Sequence, residues 1–310
     1  EAGLSGLDRV AAAAETALDA GGNDERHGQI RDFPADYQAR TSPAQAVPDL
    51  AAIAKVLAGS PLEASLHPRG EEPAPGLRLY RRDAPVVLSD ILPILENLGL
   101  RIIAEDAYRL ESAAAAVVWV HEFILAEGAV AARPPELLRR NFEDALVRIV
   151  GGTVENDGFN RLVLAAGLTA RQTTILRLYC KVLRQAGGTF SQAYMEDTLA
   201  AHAEVARRLV TLFEHRFNPV PPRGGSLAAV AELQAIDHLL DAVESLDEDR
   251  ILRGFLLLVL KSVRTNYFQP LPDGSPKPYL AVKLASSRID LLPLPRPLFE
   301  IFVYSPRMEG

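Results

Sequence analysis

The 310-residue sequence has one cysteine, one tryptophan and two methionines, and it has no long apolar run. Cys180 alone cannot close an internal disulfide, so a disulfide framework is excluded and the reducing cytoplasm is the expected setting. No cationic start leads into an apolar segment with a cleavage site. The longest apolar run near the C-terminus, Phe255 to Leu260, is far short of the roughly 20 residues a membrane helix needs. Acidic residues outnumber basic ones, 40 to 33. A formal net charge of -7 and a pI near 5.5 argue against a nucleic-acid or acidic-membrane partner, either of which selects a basic face. What is present, 48% hydrophobic and 24% charged residues, is an ordinary globular composition, worth about two domains at roughly 150 residues each. The opening at Glu1 and the stop after the strand-like run Phe299 to Tyr304 read as cuts through something longer.

Proline is expelled from helix and central-strand interiors, so its gaps divide the chain. Nine of the 22 prolines fall between Pro34 and Pro93 and eight between Pro270 and Pro306. From Glu136 to Gln269 only Pro219, Pro221 and Pro222 occur, in one loop with Gly224-Gly225, so helices are expected on both sides of it. Residues 1–58 read as helical: Leu7 to Ala20, a mobile segment after Gly21-Gly22, then Pro43 to Leu57. From 62 to 126 the period changes. Leu62 to Pro68 and Leu77 to Arg82 are extended candidates, and Ser89 is expected to cap a helix bearing Ile91, Leu92, Leu95 and Leu98. Gly99 stops it, Arg101 to Leu110 alternates as a half-exposed strand, and Ala116 to Leu125 is apolar on both faces, as a central strand would be. This order is a circular reading of the split βαβ arrangement, so the expected architecture is α+β: a ferredoxin-like antiparallel sheet domain, then a mainly helical domain, then a short C-terminal strand segment.

The helical part carries its own stop and start signals. Phe142, Ala145, Leu146 and Ile149 share a face that ends at Gly151-Gly152. Thr169-Ala-Arg-Gln172 has capping-box spacing. A helical stretch from Ser191 to Phe217 is expected to break near Asp197. Leu227 to Val243 steps by three or four, and Asp247 to Asp249 places negative charge at the start of a very apolar helix, Ile251 to Val263.

Catalytic signatures are missing. There is no phosphate-binding G-x-x-x-x-G-K-[ST], no G-x-G-x-x-G after a strand and no G-x-S-x-G elbow; the paired glycines sit where helices start or stop. Cys180 reads as a buried small hydrophobe. The six histidines, His27, His67, His121, His202, His215 and His238, include no helical i,i+4 metal pair. His121 reads as a half-buried strand histidine beside Trp119 and Phe123. Cations cluster with aromatics only at Arg264 to Phe268 and Lys277 to Lys283; anion binding is one reading, and a basic helix end satisfying its own last carbonyls is the favoured one.

The words Arg78-Leu-Tyr-Arg-Arg82, Val87 to Ile102, Asn156-Asp-Gly-Phe-Asn-Arg-Leu162 through Leu168, Arg264-Thr-Asn-Tyr267 and Phe299-Glu-Ile-Phe-Val-Tyr-Ser-Pro-Arg307 resemble, in order, the large bacterial NAD-specific glutamate dehydrogenases, from about Phe33 to Gly310. The resemblance implies a parent enzyme that deaminates L-glutamate to 2-oxoglutarate and ammonia with NAD, and an N-terminal half of ACT-like modules and helical motifs ahead of the catalytic region. The family's catalytic lysines, glycine-rich substrate words and dinucleotide domain match no position here, so no catalytic, cofactor or metal residue is transferred. Asp83-Ala-Pro85 and Leu98-Gly99-Leu-Arg-Ile102 are similar to the ACT pattern, in which the turn before the first helix commonly meets an amino-acid effector. By that resemblance Asp83 and Asn97 are the candidate effector residues, although Val86 or Val87 stands where the family usually has glycine.

These readings divide the chain into a helical segment (1–58), an ACT-like domain (59–133), a helical domain (134–269) and the truncated start of the substrate-binding region (270–310). The expected role is a non-catalytic scaffold or regulatory segment of a large NAD-dependent glutamate dehydrogenase, inactive alone and holding no cofactor. Its expected partners are the rest of the same polypeptide, a further copy in a homo-oligomer and a small amino-acid effector. An amino-acid-sensing module and an independent small enzyme are the alternatives.

Overall fold

The computed structural model describes residues 30–41, 43–69, 72, 74–112, 116–128, 130–131, 133–220 and 225–310. The expected helix Leu7 to Ala20 and the segment after it lie outside the described residues. The chain divides into two compact units, residues 1–96 with 100–151, and residues 97–99 with 152–310. The architecture is α+β, with an antiparallel sheet in the first unit, a helical array in the second and a small antiparallel sheet near the C-terminus.

In the first unit β1 (Ile30–Asp32), α1 (Ala35–Arg40) and α2 (Pro43–Leu57) precede β2 (Glu63–His67), β3 (Gly76–Arg82), α3 (Leu88–Asn97), β4 (Ile102–Ser112), β5 (Val117–Leu125) and α4 (Glu136–Val150). The sheet order is β1-β4-β5-β3-β2, with every neighbour antiparallel. Strands β2 to β5 make the split βαβ sheet with its usual first strand moved to the end, because β5 lies between β3 and β4. That position explains its composition: Val118 and Val120 are buried on one face, Phe123 and Leu125 on the other. Ile30–Asp32, in a stretch that reads as helical, instead adds a fifth strand at the β4 edge.

Ala52, Ile53 and Val56 of α2 pack on Tyr80, Tyr108, Leu110, Val118 and Val120. The β2 edge is closed differently. Glu143 Oε1, on α4, accepts the Leu66 backbone N–H at 2.8 Å, which occupies a donor that an edge strand otherwise offers to any passing strand. Ser89 does not cap α3; it lies inside the first turn, where the Val87 carbonyl accepts from Asp90 and Ile91 N–H groups.

The second unit contains a 3-10 turn (Gly158–Arg161), α5 (Leu162–Ala165), α6 (Ala170–Gln185), α7 (Gln192–Ala201), α8 (Ala203–Phe217), α9 (Gly225–Leu240) and α10 (Leu246–Lys261), followed by the sheet β6 (Ser262–Thr265), β7 (Leu280–Leu284), β8 (Glu300–Ser305) and β9 (Met308–Glu309). Helix α6 is buried along most of its length, and Leu280, Val282, Leu284, Phe302 and Tyr304 of the sheet join the same core. The break expected near Asp197 comes at His202, whose backbone leaves the helical region while its Nε2 lies 3.0 Å from Glu248 Oε2. The helix expected to reach Val263 ends at Lys261. Ser262 Oγ donates to the Leu258 carbonyl at 2.7 Å and lies 2.7 Å from the buried Tyr179 hydroxyl, so the chain is pinned there as it turns into β6.

Thr169 and Gln172 form the reciprocal capping box at the start of α6. Thr169→Ala removes an acceptor for a helix N–H and is expected to cost about 1 kcal/mol. Differential scanning calorimetry should show the second unit melting about 2–4 °C lower.

Candidate functional site

Charge inside the first unit converges on Arg78. In the β3–β5 ladder Arg78 stands opposite Glu122 and Gly76 opposite Ile124, and period-2 alternation puts Arg78 and Glu122 on the face that α2 partly covers. The Arg78 guanidinium pairs with Glu122 through Nε and with Asp49 of α2 through Nη1, and its Nη2 donates to Thr41 Oγ1 at 3.2 Å. Asp49 also accepts from the hydroxyls of Tyr37 and Tyr80, the latter at 2.5 Å. His67 Nε2 lies 3.1 Å from Glu122 Oε1. Burial raises the cost of ionising Glu122, yet the neighbouring His67 and Arg78 hold its carboxyl below the usual range. Burial pushes the Asp49 carboxyl up against the pull of Arg78 and the two tyrosines.

Beyond the end of α2 this face opens into a cleft of about 430 Å³ lined by Arg78, Glu122, His67, Arg40, Asp106 and Arg69, among others. Arg40 pairs with Asp106 across it. Gly76 makes the floor possible, since a Cβ there would lie 2.7 Å from His67 Nε2 and closer still to Glu122. Arg78 with Asp49 and Glu122, and Arg40 with Asp106, thus neutralise one another along this face, an arrangement that fixes register.

The candidate effector residues fall elsewhere. Asp83 follows β3 in the left-handed region at φ 67°; its side chain is 71% exposed and pairs with Arg82 at 3.3 Å. Asn97 closes α3 and donates to Asn156 Oδ1 at 3.0 Å. The ten residues of α3, about 15 Å of helix, separate the preceding turn from Asn97.

His121 is buried rather than half-buried, at 3% exposure. Its Nε2 accepts the Val86 N–H at 2.9 Å and its Nδ1 lies 2.6 Å from Glu105 Oε1, so both ring nitrogens are committed. Among the described residues no group of three or more His, Cys, Asp or Glu side chains is placed to hold a metal.

The second unit has its own buried charge. Arg177 is completely enclosed on α6; Nε and Nη2 each donate to Asp157 at 2.7 Å and Nη2 also to Asn160 Oδ1 at 2.9 Å. Asp157 accepts the Phe159 N–H as well. A Cβ at Gly158 would lie 2.6 Å from Glu196 Oε2. Each residue of the run Asp157-Gly-Phe-Asn160 therefore has a packing reason: charge, close approach, core and hydrogen bond. Next to it, Glu155 accepts from the Tyr304 hydroxyl at 2.6 Å and lies 3.3 Å from Lys181 Nζ, which is 3.1 Å from Glu309. Cys180 is a buried small residue as expected, its thiol pushed up to about 12 by burial. Arg264 lies in strand β6 and not at a helix end, so the reading of a basic helix terminus does not hold.

Sequence reading missed Asp49, Arg78 and Arg177 as a class. A usable signal existed for Arg177: a cation between Leu176 and Leu178 in a helix whose neighbours are buried needs a carboxylate.

Three outcomes follow from these contacts. Gly76→Ala forces His67 and Glu122 apart and should cost about 1–3 kcal/mol by urea denaturation. Arg177→Met leaves Asp157 buried without its partner and should cost about 3–5 kcal/mol in the same assay. Because the folded Glu122 carboxyl titrates below its ordinary value of 4.5, its stabilising contribution is complete above that pH and is lost as pH falls through the lower folded value. Melting curves should therefore fall less steeply below about pH 4.5 in Glu122→Gln than in the parent sequence, and an equal slope would contradict the assignment.

Comparison with known proteins bears on three stretches of the chain. The glutamate dehydrogenase ACT3 domain matches residues 61–134, glutamate dehydrogenase helical motif 3 matches 154–219, and the bacterial NAD-glutamate dehydrogenase catalytic domain matches 235–310. The NAD-specific glutamate dehydrogenase of Halomonas elongata is 41% identical over 90% of this chain, that of Pseudomonas aeruginosa 40% over 90%, and that of Mycobacterium tuberculosis 38% over its full length. The chain spans 17%, 18% and 19% of those relatives' lengths respectively. With three matches in series and relatives similar along nearly all of it, the chain belongs, as a segment, to the family of large bacterial NAD-specific glutamate dehydrogenases.

Proposed function

We propose that this segment is a scaffold and regulatory part of a large NAD-dependent glutamate dehydrogenase, whose parent reaction converts L-glutamate, NAD and water to 2-oxoglutarate, ammonia and NADH. The observation that carries the reading is the mutual neutralisation of the buried charges. Arg78 with Asp49 and Glu122, and Arg177 with Asp157, are spent on holding the fold, and a catalytic acid or base must instead be free to exchange a proton with substrate. The segment carries its ACT-like part at 59–133, its helical part at 134–269 and the beginning of the substrate-binding region from 270. NAD and glutamate are held by other parts of the polypeptide, which works in the cytoplasm as a homo-oligomer.

The polar network suits a scaffold in a second way. Glu155 and Lys181 belong to the helical part, while Tyr304 and Glu309 belong to the strands matched by the catalytic-domain family. The hairpin β8–β9 is thereby held in register by the helices. The purified 310-residue chain, given L-glutamate and NAD, should produce no NADH absorbance above a blank. Glutamate-dependent NADH formation by the pure chain would overturn the assignment and favour an independent small enzyme.

A further inference from the structure

The C-terminal sheet has two unlike faces. Leu280, Val282, Leu284, Phe302 and Tyr304 point into the helical core, so alternation turns Ala281, Lys283, Ile301 and Val303 to the other side. On that side Ala281, Lys283 and Val303 are half-buried and Ile301 is exposed. Ile301 is 64% exposed and Phe299 44%, in a sheet whose buried face is fully packed. Two cations share this face. Arg264 on β6 stands directly opposite Lys283 on β7, and Lys283 directly opposite Ile301 on β8. Like charges facing each other across a ladder repel. No carboxylate among the described residues pairs with either, and Lys283 only lies over the Phe299 ring at 4.2 Å.

We propose that this face is the docking surface for a segment of the parent polypeptide that follows residue 310, an amphipathic stretch that sets apolar side chains on Ile301 and Val303 and brings a carboxylate between Arg264 and Lys283. The proposal rests on the reading of the chain as part of a larger enzyme. Its occupant follows from three observations. The sheet lies within the catalytic-domain match at 235–310, and the relatives are more than five times as long as the part matched here. Gly310 itself pairs with Val303, its N–H and carbonyl both engaged by the β8 backbone, which places it at the edge of this sheet. The paired cations fix the chemistry, because a carboxylate placed between them turns repulsion into two charge-assisted contacts.

Two measurements on the full polypeptide and the 310-residue chain test this. Hydroxyl-radical labelling of Phe299, Ile301 and Val303 should be about tenfold lower in the full polypeptide, since burial removes the side chains from solvent; equal labelling would overturn the proposal. The double substitution Arg264→Gln, Lys283→Gln should leave the melting temperature of the 310-residue chain unchanged or slightly raised, by relief of repulsion, and should lower that of the full polypeptide. A fall in both contexts, or in neither, counts against a carboxylate-bearing occupant. If light scattering finds the 310-residue chain dimeric, its labelling already low, and Ile301→Asp makes it monomeric, the occupant is a second copy and the proposal fails. NADH formation by the isolated chain is read separately, so failure of the functional assignment is distinguishable from failure of this surface.

Discussion

Arg177 can occupy the centre of the helical unit only because Asp157 meets two of its nitrogens at 2.7 Å. A guanidinium without a partner in that position would cost several kcal/mol. The bidentate geometry satisfies the charge and also fixes direction, since the planar fork accepts a carboxylate in few orientations. Asp157 is thereby held at the start of the 3-10 turn, Phe159 is delivered to the core, and the chain enters α5 and α6 in one register. The cluster of Glu155, Lys181 and Tyr304 sits beside this pair and extends it to β8. The C-terminal strands are therefore joined to the helices by a polar route that runs beside this ion pair as well as by the apolar core.

The first unit solves the same problem on a sheet. Leu77 and Leu79 make one face of β3 apolar, while Arg78 and Tyr80 on the other must find partners, and they find the same one, Asp49 on α2. A helix carrying a single carboxylate inside an otherwise apolar face can dock on this sheet in one position. A slip of one residue would leave Asp49 facing carbon and both Tyr80 and Arg78 short of an acceptor. Apolar packing supplies the attraction here and the polar trio selects the register. That division of labour accounts for a small α+β domain with so much charge below its surface.

The local rules were legible in the sequence. The capping box at Thr169, the stops at Gly99 and Gly151-Gly152, the two-faced apolar strand at β5 and the order of strands and helices all follow from residues close together in the chain. The misses share one cause. The break at His202 rather than near Asp197, the early end of α10 and the burial of His121 are each set by a partner far away, Glu248, Tyr179 or Glu105. Asp49 was hidden for the same reason: an acid in a helix of alanines and leucines looks like a solvated face until the strand beneath it is known to carry arginine. The words that carry the family resemblance behave alike. Asn-Asp-Gly-Phe-Asn is distinctive as a string, and its content becomes chemical only once Arg177 and Glu196 are seen against it.

The two buried networks differ in what borders them. The Arg177 side chain is 1% exposed and the Asp157 side chain 9%, so the cation is the enclosed partner of that pair. The Arg78 network borders an open cleft, and two of its members, His67 and Glu122, are each 11% exposed at the cleft wall. Water and small solutes can reach them without the sheet opening. A proton arriving at that wall acts on the charge balance that positions α2. The register of α2 on the sheet is therefore set by charges that border solvent as well as by apolar packing.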